Sequence, residues 1–189
     1  MQNIDFQILV EQHFSFLVSS KGYRCVDAKR NCVRFESATV FIEVVFDDFS
    51  YELGLLVGVI KSKDHPFSIG EILRSHDAPE AELFSLVQVT TIESMNIWLK
   101  KIAEALVKYG NDFIAGNMAS FMMAMEQRKQ DVQIYSVERA LRIARVEVEA
   151  AWRVKDYATI VKFFKPLLSK LTLSEVAKLE YAEKQKKNS

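Results

Sequence analysis

The side chains whose types and spacing could do chemistry are carboxylates. Glu36, Glu43, Asp47 and Glu52, with Asp48 beside them, recur through VRFESATVFIEVVFDDFSYELGLLVGVI, residues 33–60. Carboxylates brought together bind a divalent cation, or split their pKa values so that one serves as acid and another as base. Spread over an outward sheet face, the same groups make a solvated surface or a negative docking patch. Arg34 falls on the face of Glu36 and would neutralise part of that charge. The assignment taken forward is partner binding by Glu36, Glu43, Asp47, Asp48 and Glu52. No catalytic residue, metal ligand or cofactor-binding residue is assigned.

Other candidates lose their support on inspection. Ser75-His76-Asp77 holds the residue types of a hydrolase triad, but consecutive residues do not converge as triad members from distant segments do. His13 lies on the apolar stripe of a helix, where a hydrogen-bonded boundary histidine is the commoner role. Cys25 and Cys32 would stand opposite each other across a hairpin turn centred between Ala28 and Lys29, so a bridge is geometrically open; in a reducing compartment they stay free thiols. Two cysteines at this spacing fall short of a tetrahedral metal set. The six glycines are scattered and build no phosphate loop, and HExxH, CxxC and GxSxG are missing. Arg139, Arg142, Arg145 and Arg153, with Lys155, are interleaved with Glu138, Glu147 and Glu149, which makes intrahelical pairs and argues against nucleic-acid binding.

The elements that must position these groups read as follows. Ile4–Ser20 carries Phe6, Val10, His13/Phe14 and Leu17 at helical spacing and ends at Lys21-Gly22. Tyr23–Ala28 is a short strand, turning through Lys29-Arg30-Asn31. Val33, Phe35 and Ser37, then Val40, Ile42, Val44 and Phe46, then Leu53, Leu55, Val57 and Val59 each line one strand face. Their short polar links predict an antiparallel four-stranded meander. On the other face Phe41, Val45 and Leu56 are too apolar for a fully wet surface, and Gly54 and Gly58 would let a covering helix approach. Lys61–Pro66 is an exit loop. Ser68 with Glu71 three residues on forms a capping box for a helix 68–75, and 75–79 is a loop. Residues 80–90 are compatible with helix or strand.

From Thr91 the chain is helical: 92–109, then 113–129 capped by Asp112, then 136–154, 157–170 and 174–184. Met118, Met122, Met123 and Met125 serve either as core filler or as an adaptable surface. Ala140, Ala144, Ala151 and Trp152, followed by Tyr157, Ile160, Phe164 and Pro166, loosely resemble the packing positions of a tetratricopeptide-type unit. One such unit implies a helical hairpin and no repeat array. Residues 185–189 are expected to be a disordered basic tail.

The expected architecture is therefore α+β. A helix-plus-sheet domain spans residues 1–90, and an all-helical region, 91–189, packs on it. With 49% hydrophobic and 26% charged residues the chain has the composition of a folded globular protein. Its zero net charge conceals an asymmetry: residues 1–91 hold 13 acids and 8 bases, and residues 92–189 hold 12 acids and 17 bases. No stretch reads as a signal peptide or membrane span, so a cytoplasmic location is expected.

The order helix, Gly-Tyr, strand, then V-R-F-E-S-x-x-V-x-I-E-V-x-F-D-x-x-S-Y-E-L-G resembles small bacterial proteins akin to immunity proteins of toxin systems, over residues 14–59. The resemblance implies a cytoplasmic, non-enzymatic protein that blocks a basic toxin domain through an acidic surface. Two alternatives stay open: a small-molecule binder or enzyme with a cleft between sheet and helices, and an oligomerising helical adaptor.

Overall fold

The computed structural model describes residues 6–187 and has the expected α+β architecture. In α1 (Phe6–Lys21) the residues Phe6, Val10, Phe14 and Leu17 form one buried stripe. The helix stops at Gly22, whose φ of +74° is a left-handed turn that costs glycine little. Ile4 and Asp5, expected at its start, lie outside the described residues.

Five strands follow in a continuous antiparallel meander, β1 (Arg24–Lys29), β2 (Cys32–Glu36), β3 (Val40–Phe46), β4 (Leu53–Val59) and β5 (Phe67–Ser68). The fifth, only two residues long, is additional to the four expected, and pairs Phe67 with Val57 and Ser68 with Leu56. Along β3 the residues Val40, Ile42, Val44 and Phe46 are buried while Phe41, Glu43 and Val45 are half-buried. That period-two pattern turns one face inward with Val33, Phe35, Leu53, Leu55 and Val57. Each such side chain, fully buried, contributes about 1.5–3 kcal/mol. Against this face pack α1 and α3 (Ile92–Tyr109), the latter through Met95, Leu99, Ile102 and Leu106. The buried Tyr23 hydroxyl donates to the Ile114 carbonyl at 2.8 Å, tying the start of the sheet to the helical layer.

The β1–β2 turn sits at Arg30-Asn31, within the expected Lys29-Arg30-Asn31 and two residues beyond the centre that would set the cysteines opposite each other. With a register irregularity between Cys25 and Asp27, this pairs Cys25 with Phe35 and Lys29 with Cys32. The cysteines are therefore not cross-strand partners, and both are free.

β5 leads directly into α2 (Ile69–Arg74), where Ser68 and Glu71 complete the predicted capping box. Residues 80–90 resolve into one 3₁₀ turn, Ala81–Phe84, and a lone bridge between Glu52 and Gln88. Past α3, the single turn α4 (Asn111–Ile114) ends at Gly116, whose φ is +73°. Asn117 Oδ1 then accepts the Ala119 N–H, starting α5 (Met118–Arg153), a helix of 36 residues.

The separate helices expected at 113–129 and 136–154 are thus corrected: the break lies before Met118, and no second break follows. No Gly or Pro occurs between Met118 and Arg153, and Ser136 does not cap a helix but returns its hydroxyl to the Gln133 carbonyl. α6 (Tyr157–Phe164) tightens into a 3₁₀ turn, Lys165–Lys170, at Pro166, rather than running on to Lys170 as an α-helix. α7 (Leu173–Lys187) carries helix through most of the expected disordered tail, and Asn188 and Ser189 lie outside the described residues.

The chain forms two compact units, Met1–Arg128 and Lys129–Ser189. The expected boundary near residue 90 moves because α3, Phe113, Ile114, Phe121 and Ala124 belong to the core of the first unit. The second unit has its own core of Ala144, Val148, Ala151, Ile160, Phe164, Leu179 and Ala182. Among the described residues no helix is long and apolar enough to cross a membrane.

Candidate functional site

The open face of the sheet is ordered in ranks by its register. Arg34, Glu43 and Leu56 stand side by side, flanked by Cys32, Val45 and Gly54 on one side and by Glu36, Phe41 and Gly58 on the other. Arg34 organises the centre. Its Nε donates to Glu36 at 2.7 Å and its Nη1 to Glu43 at 2.8 Å, while the guanidinium lies 3.9 Å over the Phe41 ring. Desolvation works against the Arg34 cation, but the two carboxylates outweigh it and raise its pKa. The sequence placed Arg34 beside Glu36; the structure adds Glu43 and the ring.

This arrangement explains the half-buried aromatic without a covering helix. The space a Cβ on Gly58 would need is taken by the Phe41 ring and Pro66, and on Gly54 the neighbour is Val45. The glycines accommodate their own sheet neighbours rather than a helix.

The remaining carboxylates stand apart from that pair. Asp47 is four residues beyond Glu43, roughly 13 Å at the rise of a strand. Its Oδ1 accepts the N–H of Phe49 at 2.8 Å and of Ser50 at 3.3 Å, which holds its carboxyl below the usual range. Asp48 pairs loosely with Arg30 at 3.7 Å. Glu52 is exposed, and its main chain accepts the Asp47 N–H at 2.8 Å. The five predicted residues therefore form two groups: Glu36 and Glu43 sharing the one cation of Arg34, and Asp47, Asp48 and Glu52 around the β3–β4 turn. Among the described residues, no three His, Cys, Asp or Glu side chains are grouped to hold a metal ion.

The second group borders an open groove of about 640 Å³. Val45, Leu56 and Leu86 line it, with Asp47, Asp48 and Glu52 at one end and Phe49 on its rim. Residues 87–89 continue the sheet there, the Leu53 N–H bonding the Val87 carbonyl and the Val89 N–H the Tyr51 carbonyl. Phe49 is 96% exposed although it sits between hydrogen-bonded turn residues. Cys32 also lines the groove, but burial and Glu43 push its thiol pKa up, so it is a poor nucleophile. Sequence reasoning missed Phe49 and Leu86 as site residues; the only signal was a phenylalanine inside a polar turn.

The histidine candidates have structural roles. His13 Nε2 donates to Asn96 Oδ1 at 2.7 Å, joining α1 to α3. Ser75 Oγ and His76 Nδ1 both donate to the Ile72 carbonyl, at 2.8 and 3.0 Å, closing the end of α2. No family model, curated protein or solved structure matches this chain.

Proposed function

We propose that this protein is a non-enzymatic interaction module that receives a basic protein partner on the open sheet face, in the manner of an immunity-type inhibitor of a basic toxin domain. The observation that carries the reading is the groove beside the β3–β4 turn, apolar along Val45, Leu56 and Leu86 and acidic at Asp47, Asp48 and Glu52, with the ring of Phe49 standing free on its rim. A bare aromatic beside carboxylates suits a partner that presents a cationic side chain next to an apolar one. The Arg34 cluster beside it, one guanidinium held between Glu36 and Glu43, leaves one carboxylate charge in excess and so adds to the acidic character of the face. Placement in the cytoplasm belongs to the same proposal.

The test is capture by tagged protein from its own cell lysate, at low and high salt, repeated with Asp48→Lys/Glu52→Lys and with Phe49→Ala. A basic partner held stoichiometrically, released by salt and lost from both variants, supports the reading. A partner retained by both variants sinks it.

A second reading has its own observation. On α5 the residues Val132, Tyr135 and Val146 are all more than half exposed and fall on one side of the helix, as an oligomerising helix requires. Light scattering across a concentration series distinguishes the two: a defined oligomer dissolved by Val132→Glu/Tyr135→Glu favours the adaptor.

A further inference from the structure

The second unit contains a depression that the sheet-face reading does not use. Its volume is about 460 Å³, and it opens where the α5–α6 turn meets α7. Three rings build it: Trp152 and Tyr181 at 5.6 Å between centroids, and Tyr157 and Tyr181 at 5.8 Å in an edge-on arrangement. Two ammonium groups flank them, Lys155 and Lys178. Lys178 Nζ lies 5.4 Å over the Trp152 ring and 3.6 Å from Glu149, a carboxylate that also pairs with Arg153. The Lys155 side chain has no ion-pair partner among the described residues.

The conformation at Lys155 adds to this. Its φ is +60°, in the left-handed region where a helix ending favours glycine. A side chain there is strained, by about 1 kcal/mol. The backbone turns so that the Trp152 carbonyl accepts the Lys155 N–H at 3.2 Å, and Asp156 caps α6 through the Thr159 N–H at 3.1 Å. Glycine would complete the same turn without presenting a charge beside Trp152 and Tyr157. Desolvation and the neighbouring Tyr181 raise the Tyr157 pKa, so its hydroxyl stays protonated as a donor.

Rings on the walls and ammonium groups on the rim select an apolar group next to an anion. Lys155, Ser174, Ala177 and Tyr181 are themselves exposed, so the depression is shallow and would leave a free small molecule largely wet. An anchor side chain carried by a polypeptide gains flanking contacts as well. The field of the unit agrees, because residues 129–189 hold 13 bases against 8 acids. We propose that this depression is a peptide-binding site for an acidic segment, which seats an aromatic side chain among Trp152, Tyr157 and Tyr181 and places a carboxylate between Lys155 and Lys178.

The chain has two tryptophans, so a Trp98→Phe protein reports on Trp152 alone. The probe is the capped peptide Glu-Asp-Phe-Asp-Glu, titrated into the full chain at low salt. The expected result is a saturable change in Trp152 emission with Kd on the order of 10–100 µM. Affinity should fall about tenfold or more with Lys155→Glu/Lys178→Glu, and with a peptide carrying Ala for Phe. Lys155→Gln/Lys178→Gln gives the same comparison should charge reversal disturb the fold. No change up to about 1 mM peptide, binding indifferent to the lysine variants, or equal binding of a Lys-Lys-Phe-Lys-Lys peptide overturns the proposal. So does self-association that the lysine variants dissolve, because the occupant is then a second copy of this chain.

Discussion

Arg128 shows how much one side chain holds in the first unit. Its Nε and Nη2 reach both carboxylate oxygens of Glu71, at 2.6 and 3.1 Å. Nη1 and Nη2 also donate to the His65 and Pro66 carbonyls, and the guanidinium lies 4.0 Å over Phe67. One residue thus clamps the loop before β5, the strand itself and the capping group of α2. Arg128→Ala should cost about 1–3 kcal/mol in denaturant unfolding, since Glu71 is left part-buried without its cation. Arg128→Lys should recover only part of this, because an ammonium cannot make the paired bonds. Burial opposes the Glu71 anion, but Arg128 and Ser68 outweigh it and hold its carboxyl below the ordinary value. A depressed carboxyl stabilises fully above about pH 4.3, the value in the unfolded chain, and progressively less as pH falls toward its folded value. The gap between wild type and Glu71→Gln should therefore be widest near neutrality and close on acidification; a gap that widens below pH 4 refutes the linkage.

At the scale of elements, the sheet was legible because its signals are local. Alternation along Val40–Phe46 and Leu53–Val59, short polar links, and a capping box within four residues each need only neighbouring positions. The failures have a common cause. Arg128 meets Glu71 across 57 residues, a pairing no periodicity reveals. Asp112 fits a cap from local sequence alone, and passing over it for the break at Gly116 and Asn117 requires knowing that Gly116 lies against Thr39 and Val40. A helix start at Ser136 and a bond from its hydroxyl back to Gln133 leave the same sequence, so the start expected there had no local signal against it. Of the candidate site, the carboxylates were visible but their division around Arg34 was not. The glycines on the open face provide a test of what was misread. A Cβ on Gly58 would fall 2.5 Å from Phe41 Cζ. Gly58→Ala must then displace the ring from beneath Arg34, at about 1–3 kcal/mol. With Phe41→Ala already present it should cost much less. A double-mutant cycle with no coupling would show that the ring does not occupy that space.

At the scale of the whole molecule, each unit has its own core and its own charge. Residues 1–128 hold 17 acids and 12 bases, the mirror of the excess in residues 129–189. Each unit also carries an Arg–Glu clamp of its own. In the second, Arg145 Nε meets Glu175 at 2.6 Å, and Glu175 also accepts the Thr172 N–H at 2.8 Å at the start of α7. Arg145, opposed by partial desolvation and helped by Thr172, holds the Glu175 carboxyl at about 2. Because that value is depressed, its stabilisation is complete above the unfolded value of about 4.3 and is lost as pH falls from there toward about 2. Half of the Arg145 side chain is exposed, so screening keeps the contribution near or below about 1 kcal/mol. Two cores with separate clamps predict that scanning calorimetry resolves two transitions. Arg128→Ala should lower one midpoint and Arg145→Ala the other. Glu175→Gln should remove acid sensitivity between about pH 4 and pH 2 from the Arg145-dependent transition alone. A single transition shifted equally by both arginine variants would mean that the units melt as one cooperative body, and that the clamps serve a common core.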